Sequence, residues 1–292
     1  MASPTRPAAL PGQAPKDVLP VAGSQMAIQA LPRLRPASRI VVPSPGYEEH
    51  AWAWRTEGHG VRRVDPGALE SEIAGCHVVV LIHPNNPTGT RYSRERLLAW
   101  HSLLRERGGW LIVDEAFMDV TPECSLAPLL PLPGLIVLRS LGKFFGLAGA
   151  RVGFVMGDGA VLRDLRESLG PWTVSGPARW VATRALLDRA WQERTRVLIH
   201  RQGAKLAALL SRCQLPPDGG CGLFQWVVHP RAREMRDLLA RQGILVRCFD
   251  EPSSLRFGLP GGEEEWRRVE GALSRLAHAG IPSSGRGALP VL

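Results

Sequence analysis

Ser140-Leu141-Gly142-Lys143-Phe144-Phe145-Gly146-Leu147-Ala148-Gly149-Ala150-Arg151 decides how this chain is read, because it sets one of only three lysines in 292 residues among glycines and small side chains. Lys143 offers an amine that can join a carbonyl. Ser140 offers a hydroxyl just before it, and Arg151 a planar guanidinium suited to an anion just after. The plainer alternative is a loop lysine beside a structural arginine, so the surroundings must decide.

Two upstream segments stand at suggestive spacing: His83-Pro84-Asn85-Asn86-Pro87-Thr88-Gly89 and Leu111-Ile112-Val113-Asp114-Glu115-Ala116-Phe117. The runs Cys76 to Ile82, Trp110 to Val113 and Gly134 to Leu138 have the continuous β-branched character of strands buried on both faces, as in a parallel sheet. Polar groups therefore emerge at the carboxyl ends of three predicted strands, where open α/β sheets bind ligands.

These groups suit pyridoxal phosphate. Its aldehyde needs an amine, which Lys143 supplies, and its phosphate needs donors such as Ser140 and Arg151. Its ring withdraws electrons only while the pyridine nitrogen is protonated, so a carboxylate must face that nitrogen; Asp114 is the candidate, with Glu115 pointing away. An amide such as Asn86, held by the rigid Pro87-Thr88-Gly89 turn, can donate to the phenolic oxygen. Taken singly, Asn-Asn-Pro marks ordinary turns and Asp-Glu often ends a buried strand. Further upstream, Val21 to Ala30 reads as a strand end turning into a helix started by Gly23-Ser24-Gln25, whose free amides can cradle a phosphate. An ordinary serine N-cap is the alternative there.

On these residues the chain, from about Leu19 to Gly258, resembles the fold type I pyridoxal-phosphate enzymes of the aspartate aminotransferase superfamily. The resemblance implies an α/β fold: a large cofactor-binding domain with a mixed, mostly parallel sheet, and a small C-terminal α+β domain. It implies that Asn86 contacts the phenolic oxygen, Asp114 pairs with the pyridinium, Lys143 carries the cofactor, and Arg151 binds phosphate beside Gly23, Ser24, Gln25 and Ser140. In Pro45-Gly46-Tyr47-Glu48-Glu49-His50, Tyr47 matches the aromatic that stacks on the ring. His50 matches a histidine that some members place beside the pyridinium carboxylate, although a lone histidine near a helix start is as often a surface residue. In Pro252-Ser253-Ser254-Leu255-Arg256-Phe257-Gly258, Arg256 matches the arginine for the substrate α-carboxylate, and Asn86 joins it on the substrate side. A planar fork suits a carboxylate as a lysine does not.

Within the superfamily the stretches from Val21 through His50 to Gly149 look most like the threonine-phosphate decarboxylases of cobalamin biosynthesis, with histidinol-phosphate aminotransferases second. The first resemblance implies decarboxylation of L-threonine O-3-phosphate to (R)-1-aminopropan-2-yl phosphate by a cytoplasmic, homodimeric lyase acting on a small phosphorylated amino acid. The cofactor residues are common to both families, and an inactive truncated homologue is the third reading. Members carry several tens of residues ahead of the Gly-Ser-Gln turn, so the chain is expected to be N-terminally truncated and poorly active without that arm. Its only tyrosines are Tyr47 and Tyr92, and Phe117 stands where aminotransferases often have tyrosine.

Composition sets bounds. A chain that is 45% hydrophobic can bury a large core. No apolar run approaches membrane-spanning length, and the Pro- and Ala-rich start has no signal-peptide core. Cys76, Cys124, Cys213, Cys221 and Cys248 are spaced for neither zinc nor a disulfide framework. The net charge of +9 is mostly arginine dispersed along predicted helices without a nucleic-acid-reading motif, so neither nucleic acid nor membrane is an expected partner. The expected division is a disordered Pro-rich stub at 1–16, a large domain at 17–176, a linking helix and small domain at 177–281, and a disordered tail at 282–292. A helix over Arg94 to Arg107, a long helical stretch from Pro177 to Ser211 and a last helix from Glu263 to Ala277 follow from periodicity. So do strands at Leu223 to Val228, Ile244 to Arg247 and Leu255 to Gly258, with a helix over Arg231 to Arg241.

Overall fold

The computed structural model describes residues 17–278; the segments 1–16 and 282–292, expected to be disordered, lie outside the described residues. In chain order the elements are β1 (Val18–Val21), α1 (Ser24–Ala30), β2 (Arg39–Pro43), α2 (Glu48–Thr56), β3 (Gly60–Val64), α3 (Leu69–Ile73) and β4 (Val78–Ile82). There follow α4 (Arg94–Arg105), β5 (Trp110–Asp114), β6 (Leu135–Ser140), β7 (Gly153–Met156), α5 (Gly159–Leu169), α6 (Gly176–Leu187) and α7 (Arg189–Arg212). The chain closes with β8 (Gly219–Cys221), β9 (Phe224–Val228), α8 (Ala232–Ala240), β10 (Arg247–Phe249), β11 (Ser254–Gly258) and α9 (Glu263–His278).

Contacts divide the chain into two compact units, residues 17–85 with 91–193, and residues 86–90 with 194–278. The boundary falls inside α7, later than the expected 176, so α6 stays with the first unit.

The first unit is built on a seven-stranded sheet in the order β1-β7-β6-β5-β4-β2-β3. The five strands β3, β2, β4, β5 and β6 run parallel, and β7 and β1 each pair antiparallel to their neighbours. The sheet is therefore mixed and mostly parallel. Every residue of β4 is buried, which is why its sequence is an unbroken apolar run rather than an alternation. One face is covered by a core that includes Ile28, Trp54, Ile112, Ile136, Leu138 and Leu162. Helix starts follow local chemistry: Ser93 Oγ accepts the Arg96 amide at 3.2 Å to open α4, and Asp158 Oδ1 accepts the Ala160 and Val161 amides at 3.0 and 3.2 Å to open α5.

The long helical stretch expected from Pro177 to Ser211 is made of two helices, α6 and α7. Asp188 leaves the helical conformation and its Oδ1 accepts the Trp191 amide at 3.0 Å, so the side chain ends α6 by capping α7.

The second unit is a four-stranded antiparallel sheet, β10-β11-β9-β8, whose core includes Leu206, Val227, Met235, Leu255 and Leu273. The strand expected at Ile244 to Arg247 begins instead at Arg247. Ile244 spends its amide on Leu239 O at 3.0 Å, and Gly243, at φ +70°, donates to Ala240 O at 2.9 Å; the end of α8 thus consumes the residues that hydrophobicity assigns to a strand. Strand β8 was not legible in its glycine-rich sequence. Those glycines admit the 86–90 segment: a Cβ on Gly219 would lie 2.1 Å from Thr88 O, and one on Gly89 would lie 2.0 Å from Gly220 O.

Candidate active site

Asp114 is the last residue of β5, and the carboxyl ends of the parallel strands β4, β5 and β6 lie side by side. Its carboxylate is buried, with 3% of the residue exposed. Oδ1 accepts the Ala116 amide at 3.0 Å and Oδ2 accepts from His50 Nε2 at 3.0 Å. His50, itself buried on α2, is therefore no surface residue: it fixes which way the Asp114 carboxylate faces. Each oxygen keeps a second lone pair for a further donor.

Tyr47 opens α2, its ring centroid 6.1 Å from that of His50, and its hydroxyl donates to Gln25 Oε1 at 3.3 Å. Gln25 Nε2 in turn donates to Glu49 Oε2 at 2.8 Å. Ser24 is the first residue of α1 and Gly23 its N-cap, with no side chain capping the helix. The sequence alternative of a serine cap is thereby set aside.

Arg151 adopts a left-handed backbone, φ +52°, and its guanidinium lies where a side chain on residue 23 would be. A Cβ on Gly23 would sit 2.6 Å from Arg151 Nη2, so glycine there is what admits the guanidinium to the start of α1. Gly153 does the same for the backbone: a Cβ on it would lie 2.5 Å from the Ser24 amide nitrogen. Among the described residues Arg151 has no carboxylate partner, and its one side-chain hydrogen bond is from Nη1 to Ala148 O at 3.4 Å. Guanidinium, helix amides and the nearby Ser140 hydroxyl, which accepts the Gly142 amide at 3.2 Å, form a donor set that fits a phosphate. Lys143 is exposed, its Nζ 5.7 Å from the Phe117 ring centroid. A buried, oriented carboxylate, an accessible amine and an anion cradle are what pyridoxal phosphate requires, so the residues present fit that group.

Glu115 points away from Asp114, as alternation requires, into a buried network. Its Oε2 accepts from Ser125 Oγ at 2.5 Å and Arg139 Nη1 at 3.0 Å, and its Oε1 accepts the Leu126 amide at 2.7 Å. Arg139 Nη2 donates to Asp119 Oδ1. Burial pushes the Glu115 carboxyl up from its ordinary value. Burial alone would lower Arg139, but Asp119 and Glu115 together hold it above its ordinary value.

In the second unit, Arg256 Nη1 donates to Asn86 Oδ1, and its guanidinium lies 5.3 Å from the Phe224 ring centroid. The two residues expected on the substrate side are thus in direct contact. Arg247 stands directly opposite Arg256 in the β10–β11 pair, on the same face of the sheet, and has no partner among the described residues. Burial, then Arg247, push Arg256 below its ordinary value. Sequence reasoning missed Arg247 because the strand was placed three residues early, and cross-strand register leaves no mark in one strand alone. Among the described residues no group of His, Cys, Asp or Glu could hold a metal ion, and no helix is long and apolar enough to cross a membrane.

A mixed α/β sheet with a lysine, a buried carboxylate and an anion cradle at its carboxyl end defines the class of cofactor-binding α/β enzymes. The chain belongs to the aminotransferase class I and II family, which matches residues 5–273. It is 54% identical over 256 residues to a threonine-phosphate decarboxylase of Pseudomonas aeruginosa, covering 88% of this chain and 77% of that protein. It is 42% identical over 262 residues to a threonine-phosphate decarboxylase of Sinorhizobium sp, with the same coverage of 88% and 77%. Its fold matches the histidinol-phosphate aminotransferase of Clostridium acetobutylicum with a TM-score of 0.83 at 20% identity, over 90% of this chain and 84% of that one.

Proposed function

We propose that the protein is a pyridoxal-phosphate-dependent lyase that decarboxylates L-threonine O-3-phosphate to (R)-1-aminopropan-2-yl phosphate, the amine used in cobalamin biosynthesis. The observation that carries this reading is the 54% identity to the Pseudomonas aeruginosa threonine-phosphate decarboxylase, in a chain whose residues meet each need of the cofactor. When bound, pyridoxal phosphate withdraws electron density from the substrate Cα and so lets the carboxylate leave. Lys143 Nζ would hold the cofactor and would return a proton to the substrate Cα. Asp114 would keep a proton on the pyridine nitrogen, and His50 fixes the orientation of the Asp114 carboxylate for that role. Gly23, Ser24 and Gln25, with Ser140 and Arg151, would hold the cofactor phosphate; Tyr47 would pack against its ring and Asn86 would donate to its phenolic oxygen.

Arg256 and Arg247 take the substrate's anionic groups. Two like charges directly opposite on adjacent strands cost stability when the site is empty, and an amino acid bearing both carboxylate and phosphate offsets that cost. We place the enzyme in the cytoplasm on its cysteine spacing, and take the working form to be a homodimer, since Trp172, Trp180 and Leu187 are 93%, 64% and 65% exposed. Light scattering checks the latter.

The test is an assay with two arms. Carbon dioxide released from L-threonine O-3-phosphate without any 2-oxo acid acceptor supports the lyase. Transfer from histidinol phosphate that requires 2-oxoglutarate and releases no carbon dioxide would replace it with an aminotransferase.

A further inference from the structure

The turn that carries Phe117 is gripped at both ends by a single guanidinium. Glu115 and Asp119 flank Phe117, and Arg139 donates to both, through Nη1 at 3.0 Å to Glu115 and through Nη2 to Asp119. The Phe117 ring so held is buried and stands 5.7 Å from Lys143 Nζ. Arg139 is the neighbour of Ser140 on β6, and Glu115 the neighbour of Asp114 at the end of β5; alternation therefore puts the clamp on the sheet face opposite those two site residues. The Glu115 amide donates to Leu138 O at 2.9 Å, which joins the two strand ends by backbone as well.

We propose that Arg139 is a positioning residue: by bridging Glu115 and Asp119 it fixes Phe117 against Lys143 and so sets the reactivity of that amine. Fold stability alone does not call for such a cluster, because buried ion pairs replaced by well-packed apolar groups are commonly neutral or better. What the ions add is direction. A planar fork can hold two carboxylates at a set separation, whereas an ammonium is a point charge that serves one at a time. Ser125 Oγ and the Leu126 amide occupy Glu115 as well, so its carboxylate cannot swing to meet a displaced partner. The ring face attracts the ammonium and so disfavours the free amine, and loosening the turn removes that attraction. The consequence for turnover rests on Lys143 being the cofactor lysine; the consequence for the amine does not.

The experiment uses cofactor-free protein, so a failure of cofactor binding leaves it readable. Trace acylation with acetic anhydride is followed by peptide mass spectrometry, with Lys205, 4.2 Å from the Trp266 ring centroid, as the internal reference. Asp119→Asn keeps the Arg139–Glu115 pair and loosens one end of the turn; Arg139→Lys keeps the charge and loses the span. Either serves if the other does not fold by thermal melting. Each, like Phe117→Leu, should raise the Lys143 to Lys205 labelling ratio about threefold. The Asp119→Asn/Phe117→Leu double variant should go no further than Phe117→Leu alone, since one acts through the other. An unchanged ratio in Asp119→Asn and Arg139→Lys, an unchanged ratio in Phe117→Leu, or effects that multiply in the double variant would each overturn the proposal.

Discussion

His50 Nε2 and Asp114 Oδ2 lie 3.0 Å apart, both residues buried, and tie the start of α2 to the end of β5. With Oδ1 held by the Ala116 amide, the Asp114 carboxylate has one orientation. His50→Leu removes the donor and leaves a buried acceptor unmet, a cost of about 1–3 kcal/mol. Turnover should fall about tenfold while the visible absorbance of bound cofactor persists. Turnover at the parent rate would remove His50 from the site's machinery.

Gly23→Ala should weaken cofactor binding more than it weakens the fold. The position has φ +81°, where an L side chain costs on the order of 1 kcal/mol, and the new Cβ would lie 2.6 Å from Arg151 Nη2. The guanidinium has to move away from α1. Titration with pyridoxal phosphate, read by visible absorbance, should show an affinity loss of about tenfold or more; unchanged affinity would separate Arg151 from the phosphate.

Arg247→Gln should act with opposite signs on stability and binding. Relief of the cross-strand repulsion with Arg256 should stabilise the unliganded protein by about 0.2–1 kcal/mol. Loss of a charge-assisted contact should raise the KM for a phosphorylated substrate about tenfold or more. Thermal melting and steady-state kinetics on one preparation read both, and a variant that lost stability without a change in KM would make Arg247 structural.

His83 supplies a pH-dependence of stability. Burial, assisted by Arg91, lowers its pKa to about 4, and its Nε2 accepts the Tyr92 amide at 3.0 Å, a bond that protonation would break. The unfolded chain protonates this side chain below about 6.5, the folded one only below about 4. The contribution is therefore complete above pH 6.5 and is lost as pH falls toward 4, up to about 3 kcal/mol in all. His83→Gln should flatten the melting temperature between those pH values relative to the parent. Parallel curves for the two proteins would show that His83 is not the source.

The parts of the fold legible in sequence were those whose signal is local. β4 and β5 announce themselves as continuous apolar runs because both faces are buried, and Asp114 and Lys143 stand out as polar groups just past such runs. What escaped is what depends on partners distant in sequence. Arg139 reads as one arginine among many, and only folding brings it onto Glu115 and Asp119. Arg247 acquires meaning from its register against Arg256, which a strand placed three residues early conceals. Asp188 looks like one polar residue inside a helical pattern, yet its side chain prefers the Trp191 amide and breaks the helix there. His50 was ambiguous for the same reason, since its partner is 64 residues away.

The most direct test of the proposed chemistry follows L-threonine O-3-phosphate labelled with carbon-13 in its carboxylate, in deuterated water, by nuclear magnetic resonance with purified, cofactor-loaded protein. The expected result is labelled carbon dioxide and bicarbonate, one deuterium at the former Cα of the amine product, and loss of both signals in Lys143→Ala. Label retained in a 2-oxo acid, formed only when an amino acceptor is supplied, would contradict decarboxylation.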